Sequence, residues 1–357
     1  MRGWRAFAAA WVLGLLTLTG CGDVPVEDAD PAEPLTPFDA IPFDTLYQVG
    51  AATGQSWESF HGLWDIAVDA QGRLAILDLG GPAVHVYDAQ GAHLVTIDQI
   101  GGEAGQLDGP TGIDWAAPGE LLVWDPGSSW ISSFQVSGSS AEFVDRRAAA
   151  AFGETGFCAS GDRAFLSYLE GGNVVHEIGP DGIANSFGPA PAVAGAETLG
   201  AELAGIALEE MTPSALLCTG TGVVDVGLSE SNIRYHSQDG AMTWSQEFVD
   251  FRPIAVYSDD GIGLGRRFDA GEGSHLFRSV VPLGDSLLLV QHELRTREIP
   301  MEGEPEVFES RLISVMDGSE VARTRDFPLV LAGQGDRLYL VQQSPYPMVT
   351  VVGRGGA

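Results

Sequence analysis

The chain has 357 residues, with 18 Lys plus Arg against 49 Asp plus Glu and a formal net charge of −31 at pH 7. All of the cations are Arg, and this balance argues against nucleic acid or an anionic lipid surface as partner, because phosphate binding needs clustered cations. At 45% hydrophobic and 19% charged, the composition excludes a disordered chain and provides for a large core. Its length permits two domains, but closed all-β folds also run past about 200 residues as one unit.

Arg2 and Arg5 open the chain, and Ala6 to Leu18 is an apolar run without charge. That run is short for a membrane span and fits the apolar core of an export signal. It ends Leu18-Thr19-Gly20-Cys21. This resembles the lipobox of bacterial lipoproteins, in which a Cys after a small residue is diacylated and becomes the mature N-terminus. The resemblance implies a signal peptide over 1–20, lipidation at Cys21 and membrane attachment through that lipid. Gly22 in place of Asp after the Cys favours the outer membrane. Residues 21–41 are rich in Pro and acid and lack periodicity, which predicts a flexible tether.

From residue 42 onward a rhythm of four short strands and a connection repeats. The clearest copy is Gly62 to Asp69, a turn at Ala70-Gln71-Gly72, Arg73 to Asp78, Ala83 to Tyr87, a turn at Asp88-Ala89-Gln90-Gly91, then His93 to Ile97. Alternating β-branched and aromatic residues bounded by Asp/Gly turns are the signature of hairpins. A second copy opens at Gly109-Pro110-Thr111-Gly112-Ile113 and includes Leu121 to Asp125 and Trp130 to Phe134. Later copies decay in sequence but keep the spacing, and the last, Leu329 to Val352, shows only three strands. The run Asp44 to Val49 precedes the first full copy and could supply the missing strand, removing the free edges of an open sheet. The expectation is therefore an all-β, six-bladed β-propeller over 42–357, about 52 residues per blade. A seventh blade is the alternative if 251–275 hides a further copy. One helical pattern, Glu197 to Met211, falls between the third and fourth copies and is expected to cap one face.

The stretch Gly105-Gln106-Leu107-Asp108-Gly109-Pro110-Thr111-Gly112-Ile113, with the second strands that end in Asp78 and Asp125, resembles NHL repeats. The whole domain is similar to the six-bladed NHL-type propellers of bacterial lipoproteins, over 60–138 by motif and beyond that by rhythm. That resemblance implies either a binding platform or a lyase or lactonase with a metal in its channel, so fold alone does not decide function.

No catalytic constellation stands out. His85, His176 and His236 fall on third strands and His93 on a fourth, away from where an inner-strand zinc triad would sit. His61 lies at the mouth of the first inner strand. Asp65, Asp69 and Asp114 are weak candidates for a channel metal, with Ca or Zn as the alternative to no cofactor; their ordinary role is capping of turns and strand ends. The acidic connection Glu298 to Glu309 reads as a solvated loop. Cys158 and Cys218 occupy equivalent places in adjacent copies and are either a disulfide or two buried thiols. Five Trp fall within 57–130. Trp57, Trp64, Trp115 and Trp130, with His61 and Asp65, are the candidate ligand-binding set, whereas Trp124 is assigned to packing. The leading expectation is a lipid-anchored binding or scaffold module for a protein or small molecule; the alternative is a metal-dependent hydrolase or lyase.

Overall fold

The computed structural model describes residues 42–149, 156–212, 214–259, 261–298, 306–325 and 327–354. The expected signal over 1–20 and the expected tether over 21–41, with Cys21 and Gly22, lie outside the described residues.

The apolar runs form six four-stranded antiparallel sheets, the blades of a propeller. Blade 1 comprises Leu63–Val68, Leu74–Asp78, Ala83–Tyr87 and His93–Ile97. Blade 2 comprises Gly112–Ala117, Glu120–Asp125, Trp130–Ser137 and Ser140–Ala148. Blade 3 follows with Phe157–Ser160, Arg163–Glu170, Asn173–Gly179 and Gly182–Pro189. Blade 4 has Ser214–Cys218, Gly222–Gly227, Asn232–Ser237 and Met242–Glu247. Blade 5 has Ser274–Leu283, Leu287–Arg295, Phe308–Ser314 and Glu320–Thr324. Blade 6 takes Val330–Gln334, Arg337–Gln342 and Met348–Arg354 from the end of the chain, and Phe43–Val49 from its start. In each blade the first of these strands is innermost.

The core is divided into slabs between neighbouring blades. Between blades 1 and 2, for example, Leu77, Val84 and Val86 meet Ile113, Trp115, Leu121 and Val123. A second strand therefore has a neighbour on both faces. Leu74–Asp78 and Gly222–Gly227 are buried at every position, which explains why they read as continuous apolar runs rather than as alternation. Each fully buried Leu, Ile or Val contributes about 1.5–3 kcal/mol.

Turn glycines set the spacing between blades. Gly91 has φ +84°, and a Cβ there would lie 2.6 Å from the Tyr47 ring on the outer strand of blade 6. Gly318, at φ +76°, meets the Trp244 ring on the outer strand of blade 4 in the same way. Only glycine combines the left-handed backbone with this close approach.

The Asp that ends the second strand holds the loop entering its own blade. Asp78 accepts backbone N–H groups from His61 (2.9 Å), Gly62 (2.9 Å) and Gly80 (3.1 Å). Asp125 accepts them from Asp108 (2.7 Å) and Gly109 (3.0 Å). Cys158 and Cys218 are joined by a disulfide with Cα atoms 5.4 Å apart, linking the inner strands of blades 3 and 4. Closing a loop of 60 residues corresponds to about 4 kcal/mol in the chain-entropy account.

Residues 251–275 do not add a seventh blade. Among the described residues of this segment before Ser274, the strands are the two of the hairpin Ala255–Tyr257 and Gly265–Arg267. The helix is shorter than its pattern, Ala201–Met211, preceded by the turn Ala196–Thr198. Its Leu203, Ala207 and Met211 are buried, and Ala207 and Met211 pack with Ile254 and Val256 of the hairpin segment. The acidic connection in blade 5 also needs correction. The third strand begins at Phe308, so Glu309 is 1% exposed and inside a sheet rather than in a solvated loop.

Deleting residues 42–49 would expose an unpaired edge at Met348–Arg354. The truncated chain is expected to melt on the order of 10 °C or more below the full chain and to aggregate, as read by circular dichroism and light scattering. An unchanged melting temperature would show that closure contributes nothing.

Candidate functional site

The six inner strands line a central channel with two connected cavities. At the end where these strands begin, a mouth of about 290 Å³ is lined by residues of every blade, including Trp64, Thr111, Phe157, Ser214, Arg278 and Leu331. A second cavity of about 310 Å³ continues along the strands. The two share Asp65, Phe157, Leu216, Val280 and Leu331, which form a waist. Gly112 makes room there, since a Cβ on it would lie 2.7 Å from that of Phe157.

Three inner strands carry a β-bulge at the mouth. Leu63 pairs with Asp78 and Asp65 with Leu77, so Trp64 is the extra residue. By the same count the extra residues are Arg278 in blade 5, between Phe277 and Ser279, and Leu331 in blade 6, between Val330 and Ala332. A bulge bends the strand and re-aims its side chain. Blades 5, 6 and 1 are consecutive around the ring, so the mouth presents a guanidinium, an aliphatic group and an indole in that order. Trp64 is 39% exposed, and its Nε1 donates to the Thr111 carbonyl at 3.0 Å, which holds the ring in place.

Asp65 and Asp114 stitch inner strands together. Asp65 accepts the N–H of Ile66 at 2.8 Å and, from blade 2, that of Ile113 at 2.9 Å. Asp114 accepts Trp115 N–H at 2.8 Å and, from blade 3, Ala159 N–H at 2.7 Å. Burial pushes Asp65 up to about 6 and Asp114 up to about 7, although these donors favour the ionised forms. The Asp65 charge adds to the rise at Asp114.

The other sequence candidates are dispersed. Trp115 is 8% exposed and belongs to the slab between blades 1 and 2, with Arg73 stacked 4.9 Å from its ring centroid. It therefore packs in the core slab, at the wall of the second cavity rather than at the mouth. Trp57 stacks on His93 at 4.6 Å beside blade 1, and Trp130 lies under the Arg146 guanidinium at 4.1 Å; neither lines the channel mouth. The His61 ring is exposed and sits 3.6 Å from Asp78. Asp69 caps its turn through Gln71 and Arg73 N–H and pairs with the Arg73 side chain at 2.6 Å.

These side chains do not fit a tightly held channel metal. Both oxygens of Asp65 and of Asp114 already accept backbone N–H groups, and Asp69 is bound to Arg73. Among the described residues, no group of three or more His, Cys, Asp or Glu could hold an ion. His85, His176 and His236 lie on third strands and are buried. His275 is on an inner strand, Ser274–Leu283, but it is buried against Glu309 at 3.2 Å. Burial would raise Glu309; His275 and Arg311 instead hold it well below the usual carboxylate range. His292, ringed by Phe248, Phe251 and Phe277, is pushed down to about 3 by burial and stays neutral.

No family model and no curated protein matches the sequence. Solved structures share the architecture. An exported-protein candidate of Bacteroides fragilis has a TM-score of 0.57 and 9% identity over 90% of this chain and 97% of its own. BamB of Moraxella catarrhalis has a TM-score of 0.42 at 13% identity, covering 88% and 99%. Virginiamycin B lyase of Staphylococcus aureus has 0.46 at 9%, covering 87% and 99%. At these identities the likeness is one of fold.

The raised Asp114 gives a signed pH dependence. A carboxyl whose pKa is raised by folding contributes stability that is present at low pH and lost as pH rises through the folded value, here about 7. The stability of the wild type relative to Asp114→Asn is therefore expected to fall between pH 5 and pH 8. Urea unfolding of both proteins across that range measures it, and a constant difference would refute the raised pKa.

Proposed function

We propose that this chain is an exported lipoprotein of the NHL-type propeller class, lipidated at Cys21, that binds a small molecule in the channel mouth. The observation that carries the binding reading is the bulged arc of Arg278, Leu331 and Trp64 around an open cavity. Bulges cost ladder hydrogen bonds, and three of them aimed at one cavity fit a built site better than a structural defect. At about 290 Å³ the mouth lies near the small end of ligand pockets. The apolar run ending in Thr19-Gly20-Cys21 supports export and lipidation, and the Asp78 and Asp125 latches fit the NHL reading.

Native mass spectrometry of the mature chain, incubated with a small-molecule extract of the source cells, tests binding. A one-to-one adduct is expected, with occupancy reduced about tenfold in Trp64→Ala, since an exposed aromatic anchor contributes on the order of 1–2 kcal/mol. Equal occupancy in that variant would move the site away from the mouth.

The anchor is tested separately. Cys21→Ala is expected to abolish incorporation of labelled fatty acid and shift the protein from the membrane to the soluble fraction. Retained labelling would rule out Cys21 as the modified residue.

A further inference from the structure

The polarity of the mouth narrows the ligand. Arg278 is the cation among the residues lining it. As the extra residue of its bulge it lies outside the ladder, and its side chain is 35% exposed. Among the described residues its one ion-pair contact is long, 3.6 Å to Glu293. That same carboxylate is held at 2.7 Å by Arg295. Two guanidiniums thus share one buried carboxylate, and most of the Arg278 N–H donors are uncommitted at the mouth. In a chain of net charge −31, such a group at the opening of the channel attracts anions locally against the overall field.

Below the rim the surroundings change. Leu216, Val280 and Leu331 form an apolar floor at the waist. Trp64 stands to one side with its ring fixed through Nε1. Asp65 is also at the waist, where its charge repels an anion and directs it to the rim. Its oxygens are occupied by Ile66 and Ile113 N–H, so it offers a ligand cation little direct bonding.

Resting on the mouth-binding reading above, we infer that the ligand is a small carboxylate with a flat apolar body. The carboxylate pairs with Arg278 at the rim, and the body lies between Trp64 and the aliphatic floor. The planar guanidinium fork suits a carboxylate in two-pronged geometry, and hydrogen bonds between charged partners are about twice as strong as neutral ones.

The test uses the mature chain with matched probes: benzoate and benzamide, phenylacetate and phenylacetamide, and benzylamine, each titrated calorimetrically at millimolar concentration. The acids are expected to bind at least about tenfold tighter than their amides. Arg278→Gln, at an exposed position, should erase that preference without changing the melting temperature, and Arg278→Lys should keep part of it. Trp64→Ala should weaken acid and amide alike. If acid and amide bind equally and both still depend on Trp64, the carboxylate assignment is wrong while the mouth remains the site. Tighter binding of the amine would overturn the assignment and transfer recognition to Asp65. If no probe binds the wild type, both the assignment and the reading it rests on fall.

Discussion

Everything in this molecule depends on one pairing, that of Phe43–Val49 with Met348–Arg354. A twisted four-stranded sheet has two edges and two faces to protect, and a blade alone can bury neither. Arranging six blades in a ring buries the faces against each other, but only if the last blade meets the first. Hydrogen bonds between strands from opposite ends of the domain supply that junction. They hold in place the six interblade slabs, the inner strands and the channel those strands enclose.

Ring geometry also separates stability from recognition. The slabs take up the apolar side chains and most of the buried His, including His85, His176 and His236. What reaches the channel is set by the inner strands alone, and at the mouth the regular pattern is broken in three consecutive blades. Asp65 and Asp114 hold neighbouring strands together across the wall, so the bulges can reshape the mouth without loosening the ring.

Most of the architecture was legible in the residues. Second strands such as Leu74–Asp78 announce themselves because burial on both faces demands continuous apolar character, and Asp/Gly turns separate the hairpins. The three-strand last copy pointed to the early strand as its partner. The site was much less legible, and the two inner-strand Trp show why. Trp64 precedes its Asp and Trp115 follows its Asp, so in a regular strand both would lie on one face. The bulge at Trp64 breaks that equivalence and turns its indole to the mouth, while Trp115 stays in the slab. Alternation cannot reveal a bulge, and for the same reason Arg278 and Leu331 drew no notice. Glu309 was misplaced for a different reason. It follows directly on an acidic connection, and its charge is satisfied inside the sheet by His275 and Arg311, so the composition read as a continuation of the loop.

The same closing strand has a consequence in time. Phe43–Val49 leaves the ribosome before any blade exists, yet its partner is the final strand. Contacts so distant in sequence form slowly, because the loop between them must be ordered first. Blades can assemble on one another as the chain lengthens, but the ring stays open, with an unpaired strand at each end, until the last residues are available. On the export reading proposed above, the chain would gain from this order: it could not lock into its final shape halfway through the passage, and finishing translocation would also complete the fold.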